Sequence, residues 1–202
     1  MRIGLFGGSF DPVHRGHLLL AECCLHQAKL DRVEFMPAAQ QPLKPRGPVA
    51  SDEDRVAMLR LAIADQPAFG VSLIELERGG VSYTAETLRQ LRSRRPGDEF
   101  YFLMGADSLN DLPTWREPQV ICELAMPVVV RRADSPSPNF DALAPIVSAE
   151  RLAKIRSLEV EMPPTPISSS EIRRLVRAGA AWESLVSDEV GEYIRQRRLY
   201  LD

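Results

Sequence analysis

Short apolar runs alternate with longer amphipathic segments along most of this chain. The apolar runs predict strands near residues 2–6, 32–36, 71–75, 99–104, 126–131 and 157–160. The amphipathic segments predict helices near residues 17–28, 51–65, 83–94, 116–123, 168–178 and 188–197. Because helices between strands act as crossovers, this alternation predicts an α/β fold with a mostly parallel sheet and helices on both faces.

The length and composition are those of an ordinary globular domain. The chain has 202 residues, of which 45% are hydrophobic and 26% are charged. With no internal repeat and no convincing linker, we expect residues 1–202 to form a single domain. Residues 37–48 and 133–145 are rich in proline and are predicted to be irregular loops.

Charge and cysteine content exclude several classes of protein. The formal net charge of −3 argues against a general nucleic-acid-binding protein, which usually carries a basic excess. No apolar run approaches membrane-spanning length, and the three cysteines form no Cys-x-x-Cys pair. We therefore expect a soluble, cytoplasmic protein whose partners include neither nucleic acid nor a membrane. The oligomeric state is not predicted.

The first predicted strand runs into a glycine turn with two histidines, where residues 7–17 read GGSFDPVHRGH. Glycines let backbone N–H groups approach phosphate oxygens, and the helix start that follows adds unpaired donors and a positive dipole end. His14 and His17 can donate hydrogen bonds to phosphate oxygens. The lysine of a Walker A loop is missing, and no cysteine or carboxylate cluster completes a zinc site. The segment therefore predicts a polyphosphate site.

A second candidate anion site lies near the C-terminus, where residues 165–174 read TPISSSEIRR. Ser168 and Glu171 have the spacing of a helix-capping box. Capping does not account for Arg173 and Arg174, because cations in the first turn of a helix oppose its dipole. An anion bound by Ser169, the free N–H groups and Arg173 would turn that penalty into attraction.

With both ends in view, the chain resembles the HxGH nucleotidyltransferases and, within them, the nicotinate-nucleotide adenylyltransferase family. Residues 7–17 match the family's G-G-[ST]-F-D-P-x-H-x-G-H, and residues 167–173 match I-S-[ST]-x-x-[IV]-R in outline. Between them, VSYTAETL at 81–88 and the GADSL and LPTW segments within 105–115 also fit. The resemblance implies a Rossmann-like, doubly wound nucleotidyltransferase fold, whose C-terminal helical part, residues 165–202, carries the second phosphate motif.

The resemblance also implies roles for individual residues. The catalytic residues would be His14, His17, Lys44 and Arg173. ATP would be bound by Gly7, Gly8, Ser9, Phe10, Gly16, Gly105, Asp107, Ser168 and Ser169. The mononucleotide would be bound by Lys44, Thr84 and Trp115, with Thr84 at its carboxylate and the Trp115 indole stacked on its pyridine ring. A helix start at Thr84 and core packing at Trp115 are the structural alternatives.

The implied activity is adenylyl transfer from ATP to nicotinate mononucleotide, which yields nicotinate adenine dinucleotide and pyrophosphate in NAD biosynthesis. A phosphate oxygen of the mononucleotide would attack in line, without a covalent enzyme intermediate. Mg²⁺ would travel with ATP, and no residue is assigned as a metal ligand. One departure from the family stands beside Lys44, where Leu43 replaces a histidine that many relatives carry.

Three alternatives stay open at this point. A pantetheine-phosphate adenylyltransferase usually has threonine at the position of His14 and a shorter chain. Nicotinamide mononucleotide differs from nicotinate mononucleotide only in an amide, which the sequence separates through inferred contacts at Thr84 and Trp115. A nucleotide-binding regulator without catalysis is disfavoured by the intact basic residues of both motifs.

Overall fold

The computed structural model describes residues 1–42, 47–133 and 135–201. Its strands are β1 (Arg2–Gly8), β2 (Arg32–Pro37), β3 (Phe69–Val71), β4 (Glu99–Gly105), β5 (Met126–Arg132) and β6 (Val160–Met162). They form one six-stranded sheet in the order β3-β2-β1-β4-β5-β6, which is typical of doubly wound nucleotide-binding folds. The pairs β1–β4, β4–β5 and β5–β6 are parallel. The predicted α/β class with a mostly parallel sheet is confirmed.

The helices found in the described residues are α1 (Arg15–Gln27), α2 (Asp52–Ala62), α3 (Ile74–Arg78), α4 (Thr84–Arg94), α5 (Ala106–Asp111), α6 (Pro118–Leu124), α7 (Ala149–Arg156), α8 (Ser169–Arg177) and α9 (Asp188–Gln196). Short 3-10 helices occupy Leu112–Thr114, Phe140–Leu143 and Glu183–Leu185. Serine side chains cap the starts of α2, α7, α8 and α9, which explains where these helices begin. None of these helices is long and apolar enough to cross a membrane.

The first of two compact units comprises Met1–Phe6, Leu20–Glu34 and Tyr83–Pro164. In it β4 and β5 run in parallel, with Gly105 opposite Val130 at the end of the pairing. Val128 and Val129 are completely buried, as expected of a strand that is covered on both faces. The apolar run in β5 therefore becomes the centre of this unit's core.

The second compact unit comprises Gly7–Leu19, Phe35–Ser82 and Thr165–Asp202. Three aromatic rings pack edge to face in its core, with 5.6 Å between the centroids of Phe10 and Phe35 and 5.6 Å between those of Phe35 and Phe69. The Tyr193 hydroxyl of α9 donates a hydrogen bond of 2.8 Å to Asp54 of α2. Both predicted phosphate motifs belong to this unit.

Two predicted strands are wrong in their bounds. The strand predicted at 71–75 ends at Val71, and Ile74 is instead the buried first residue of α3. A short apolar run does not by itself distinguish a buried strand from a buried helix. The strand predicted at 157–160 begins only at Val160, because residues 157–159 form the turn after α7.

Two helices and one helical turn lie where none was predicted. α5 and α7 are absent from the predicted elements, although Ser148 caps α7 by accepting a hydrogen bond from the N–H of Arg151. The segment predicted as an irregular loop at 133–145 contains a 3-10 helix, and the side chains of Phe140 and Leu143 are buried there. Burial of these two apolar residues outweighs the local proline content.

Candidate active site

The turn that follows β1 is packed tightly enough to require glycine at residue 8. A Cβ added to Gly8 would lie 2.9 Å from Cζ of the Phe10 ring. Phe10 has a φ of 49°, in the left-handed region, and its ring is 1% exposed. A ligand at this turn can therefore reach the backbone of Phe10 but not its ring. Gly7, in contrast, is exposed.

The two histidines of the motif stack on each other where the turn enters α1. Their ring centroids are 3.6 Å apart and the ring planes differ by 20°. His14 is buried and His17 is half-buried. The N–H of His14 donates to Nδ1 of His17 over 3.3 Å, so a neutral His17 carries its proton on Nε2, where it can donate to a ligand. A Cβ on Gly16 would lie 3.1 Å from the His14 ring, which restricts this position to a small residue.

The start of α8 contacts the same turn through two side chains. The Ser169 hydroxyl donates to the carbonyl oxygen of Pro12 at 2.9 Å. Nη1 of Arg173 donates to the carbonyl oxygen of Asp11 at 2.6 Å, and the Arg173 side chain stays 26% exposed. The structure therefore brings Ser169 and Arg173 to the turn that carries the stacked histidines.

The second arginine of the C-terminal motif has its counter-charge inside the helix. Ser168 caps α8 by accepting a hydrogen bond of 3.2 Å from the N–H of Glu171. The Glu171 carboxylate accepts hydrogen bonds of 2.8 and 2.6 Å from Arg174, which lower the pKa of Glu171. The expectation that only a bound anion accounts for both arginines is wrong for Arg174, because an ion pair one turn away neutralises it. Arg173 is the one that faces the turn.

A buried carboxylate joins these elements, and sequence reasoning assigned it no role. Asp11 is 2% exposed and accepts hydrogen bonds from the N–H of Val49 at 2.7 Å, the N–H of Ala50 at 3.1 Å and the Tyr200 hydroxyl at 2.8 Å. Nη1 of Arg173 also lies 3.6 Å from Oδ2 of Asp11. Asp11 was visible as the acidic residue of the first motif, whereas no local pattern indicates Tyr200.

A buried arginine supports the turn from below, and this residue was also missed. Arg55 in α2 is completely buried, and its Nη1 donates to the carbonyl oxygen of Ser9 at 2.7 Å. Nη2 donates to the carbonyl oxygen of Ala38 at 2.7 Å and to the Asp52 carboxylate at 2.6 Å. The guanidinium thus connects the turn after β1 with the chain after β2. A single arginine in an amphipathic helix usually indicates a solvated face, which concealed this role.

We expect Arg55→Ala to lower the free energy of unfolding by about 3 kcal/mol, because two buried carbonyl groups and a carboxylate lose their donor. For a chain of this size, that loss corresponds to a fall of roughly 6–12 °C in the thermal midpoint, measured by calorimetry. Arg60→Ala is the matched control, since Arg60 lies exposed on the same helix. Equal losses in the two variants would contradict the assigned role of Arg55.

The residues predicted at the mononucleotide belong to the first compact unit. Thr84 is the first residue of α4, and within the part of the chain that the structure describes Tyr83 supplies no side-chain cap. The Trp115 ring packs edge to face on Phe102, with centroids 6.0 Å apart. Its Nε1 atom is buried and has no hydrogen-bond partner among the described residues. An open helix start suits an anion, and a buried N–H without an acceptor is uncommon.

The two residues predicted at the adenosine are both accessible. Gly105 ends β4, and a Cβ added there would meet nothing within 4 Å among the residues that the structure describes. Asp107 is exposed in the first turn of α5. These residues also belong to the first unit. Lys44 lies outside the described residues.

Comparison with known proteins gives concordant results. The Cytidylyltransferase-like family matches residues 5–175. A protein of Synechococcus sp. strain JA-3-3Ab named probable nicotinate-nucleotide adenylyltransferase is 42% identical over 201 residues, covering 100% of this chain and 95% of the relative. Its namesake in Rhodopirellula baltica is 39% identical over 198 residues, covering 98% and 92%. The solved structure of Plasmodium falciparum nicotinic acid mononucleotide adenylyltransferase complexed with NaAD has a TM-score of 0.73 at 18% identity, covering 98% of this chain and 97% of that one, which shows a shared fold.

Proposed function

The chain belongs to the nicotinate-nucleotide adenylyltransferase family, and we propose that it transfers the adenylyl group of ATP to nicotinate mononucleotide. The products are nicotinate adenine dinucleotide and pyrophosphate, so the enzyme acts in NAD biosynthesis. One observation carries the proposal: two anion-binding elements meet within one compact unit. These elements are the histidine turn and the start of α8, joined by the hydrogen bonds of Ser169 and Arg173 to the turn.

The reaction requires charge neutralisation more than acid–base chemistry. A phosphate oxygen of the mononucleotide, already ionised at neutral pH, forms the new bond to the α-phosphorus of ATP. The bond from that phosphorus to the bridging oxygen breaks, and pyrophosphate leaves with the electron pair. No side-chain nucleophile is needed, so positioning of the two substrates and stabilisation of the developing charge supply the rate enhancement.

The second unit supplies the groups for the triphosphate. Backbone N–H groups after β1 and at the start of α8 are proposed to bind the phosphates, together with Ser168 and Ser169. The Nε2–H of His17 and the fork of Arg173 donate to oxygens that gain charge in the transition state. His14 is buried against His17 and orients that ring. Lys44 is proposed as a further cation on the evidence of the sequence.

The first unit supplies the groups for the nucleosides. We assign the adenosine to Gly105 and Asp107, where an exposed carboxylate accepts hydrogen bonds from ribose hydroxyls. The nicotinate carboxylate is assigned to Thr84 and the uncapped start of α4. The pyridine ring is assigned to the Trp115 indole, a flat aromatic surface for a flat, electron-poor ring.

Mg²⁺ is proposed to arrive with ATP, held by phosphate and water oxygens, and to offset the charge of the triphosphate. The acidic residue at the turn does not fit the role of a ligand, because both carboxylate oxygens of Asp11 already accept hydrogen bonds. In residues 1–42, 47–133 and 135–201, no group of three or more His, Cys, Asp or Glu is placed to hold a metal ion.

We also propose that residues 1–202 act as one nucleotidyltransferase domain in the cytoplasm. The family match runs from residue 5 to residue 175 and includes parts of both compact units, which supports a single functional domain. The cytoplasmic location is inferred from the sequence, and the three cysteines are free thiols.

Pyrophosphate release with different acceptors tests the proposed function. Purified protein is supplied with Mg²⁺ and ATP, and with nicotinate mononucleotide, nicotinamide mononucleotide or pantetheine phosphate in separate assays. We expect the highest kcat/KM with nicotinate mononucleotide. A preference for the amide or for pantetheine phosphate would name a different transferase, and ATP binding without turnover on any acceptor would indicate a regulator.

Trp115→Ala is expected to raise the KM for nicotinate mononucleotide about tenfold, because the pyridine ring loses its stacking partner. The KM for ATP should change by less than about twofold. Trp115→Phe keeps an aromatic face and should recover most of the affinity. A mononucleotide KM that is unchanged in Trp115→Ala would mean that the indole serves only to pack against Phe102.

A further inference from the structure

The last residues of the chain reach the phosphate turn. Tyr200 is 5% exposed, and its hydroxyl donates to Oδ1 of Asp11 at 2.8 Å. Its φ is 65°, in the left-handed region that residues other than glycine seldom adopt, so the chain end is held in a specific conformation. Burial and the neighbouring Asp11 carboxylate raise the pKa of Tyr200, which keeps this hydroxyl protonated and able to donate.

The Asp11 carboxylate is shared among four groups, and their distances differ. Val49, Ala50 and Tyr200 donate hydrogen bonds of 2.7–3.1 Å to its two oxygens. The Arg173 guanidinium, in contrast, lies 3.6 Å from Oδ2, longer than a charge-assisted hydrogen bond of about 2.8 Å. The three donors thus hold the carboxylate in an orientation that leaves the ion pair with Arg173 incomplete. The donating face of Arg173 is then available to a ligand.

We propose that Tyr200 is a positioning residue of the active site, which holds Asp11 so that Arg173 stays available to the triphosphate. Without the Tyr200 hydroxyl, Oδ1 retains only the longer hydrogen bond from Ala50. The carboxylate can then rotate to complete its ion pair with Arg173, which draws the guanidinium away from the phosphates. This inference rests on the proposed function, since Arg173 is assigned to the triphosphate there.

The chain offers a matched control for the tyrosine hydroxyl. Tyr193 also donates to an aspartate, with 2.8 Å between its hydroxyl and Oδ1 of Asp54, and it also lies in the C-terminal part of the same unit. Asp54 receives donors from Arg197 and Ser51 and has no part in the turn. Tyr200→Phe and Tyr193→Phe each remove one oxygen atom and create no large cavity.

Steady-state kinetics of the two variants test the proposal. We expect Tyr200→Phe to lower kcat about tenfold, and Tyr193→Phe to lower it by less than about twofold, with similar small falls in the thermal midpoint. In an Arg173→Lys background, Tyr200→Phe should cost no more than about twofold, because its effect passes through Arg173. Equal losses in the two tyrosine variants, or a tenfold cost that persists beside Lys at residue 173, would overturn the proposal.

A measurement independent of turnover separates this inference from the proposed function. Amide hydrogen exchange at Val49 and Ala50 should become about tenfold faster in Tyr200→Phe and stay unchanged in Tyr193→Phe, because these N–H groups donate to the carboxylate that Tyr200 fixes. Unchanged exchange in Tyr200→Phe would overturn the positioning role even in an active enzyme. Wild-type protein without adenylyl transfer would contradict the proposed function, and the exchange rates would still show whether Tyr200 fixes Asp11.

Discussion

Replacing His17 with alanine is expected to lower kcat by about 10²–10³-fold, the cost of removing one preorganised donor to a transition-state oxyanion. The half-buried ring accepts a hydrogen bond on Nδ1 from the His14 N–H, which leaves Nε2 as the donating atom of the neutral ring. His17→Gln places an amide N–H near the position of Nε2 and should recover about tenfold of the loss. Initial rates of pyrophosphate release at saturating substrates measure both variants.

The control for this variant is the third histidine of the chain. His26 lies exposed near the end of α1, the helix that also carries His17. His26→Ala should leave kcat unchanged. His17→Ala should lower the thermal midpoint by only a few degrees, since the lost contacts are a ring stack and an edge contact with Phe10. A large fall in stability that parallels the fall in activity would show that His17 serves the fold rather than the reaction.

Replacing Arg173 with alanine is expected to lower kcat by about a hundredfold, because the leaving pyrophosphate loses a bidentate cation. Arg173→Lys keeps the charge but not the planar fork. A lysine that donates to the Asp11 carbonyl has fewer N–H groups left for the phosphates, so we expect an intermediate loss of about tenfold. The same pyrophosphate assay, with ATP varied, gives kcat and KM separately.

The adjacent arginine provides the comparison. Arg174 is more exposed than Arg173 and forms its ion pair with Glu171 on the surface of α8. Arg174→Ala should therefore keep kcat within about twofold of the wild type, since exposed ion pairs of this kind contribute little. If Arg174→Ala were as harmful as Arg173→Ala, general basicity of the helix start, rather than the directed contact of Arg173, would explain the effect.

The sheet and its major helices were predictable because their signals are local. Each apolar run that became β1, β2, β4 or β5 carries its own pattern, and the sheet buries these patterns without changing them. Ile74 and the short strand at Val160 show where that logic ends. A run of two or three apolar residues fits a strand and a buried helix turn equally well, and tertiary packing selects between them.

The residues around the candidate site divide in the same way. The order of glycines, histidines and serines in the two motifs indicated phosphate binding before any coordinates, because glycine turns and helix starts bind anions by local geometry. The difference between Arg173 and Arg174 was not visible locally. Adjacent residues on a helix point about 100° apart, and only the surroundings of α8 decide which one meets the turn and which one meets Glu171.

The sequence by itself determined the α/β class, the two phosphate motifs and the resemblance to a transferase family, since each depends on residues close together in the chain. The tertiary structure alone decided how the motifs are held. The hydrogen bond from Tyr200 to Asp11 joins residues 189 positions apart, and that from Arg55 to Ser9 joins residues 46 positions apart. Such contacts leave no periodic signal, because they form only when folding buries both partners together and each must then satisfy the other's hydrogen bonds.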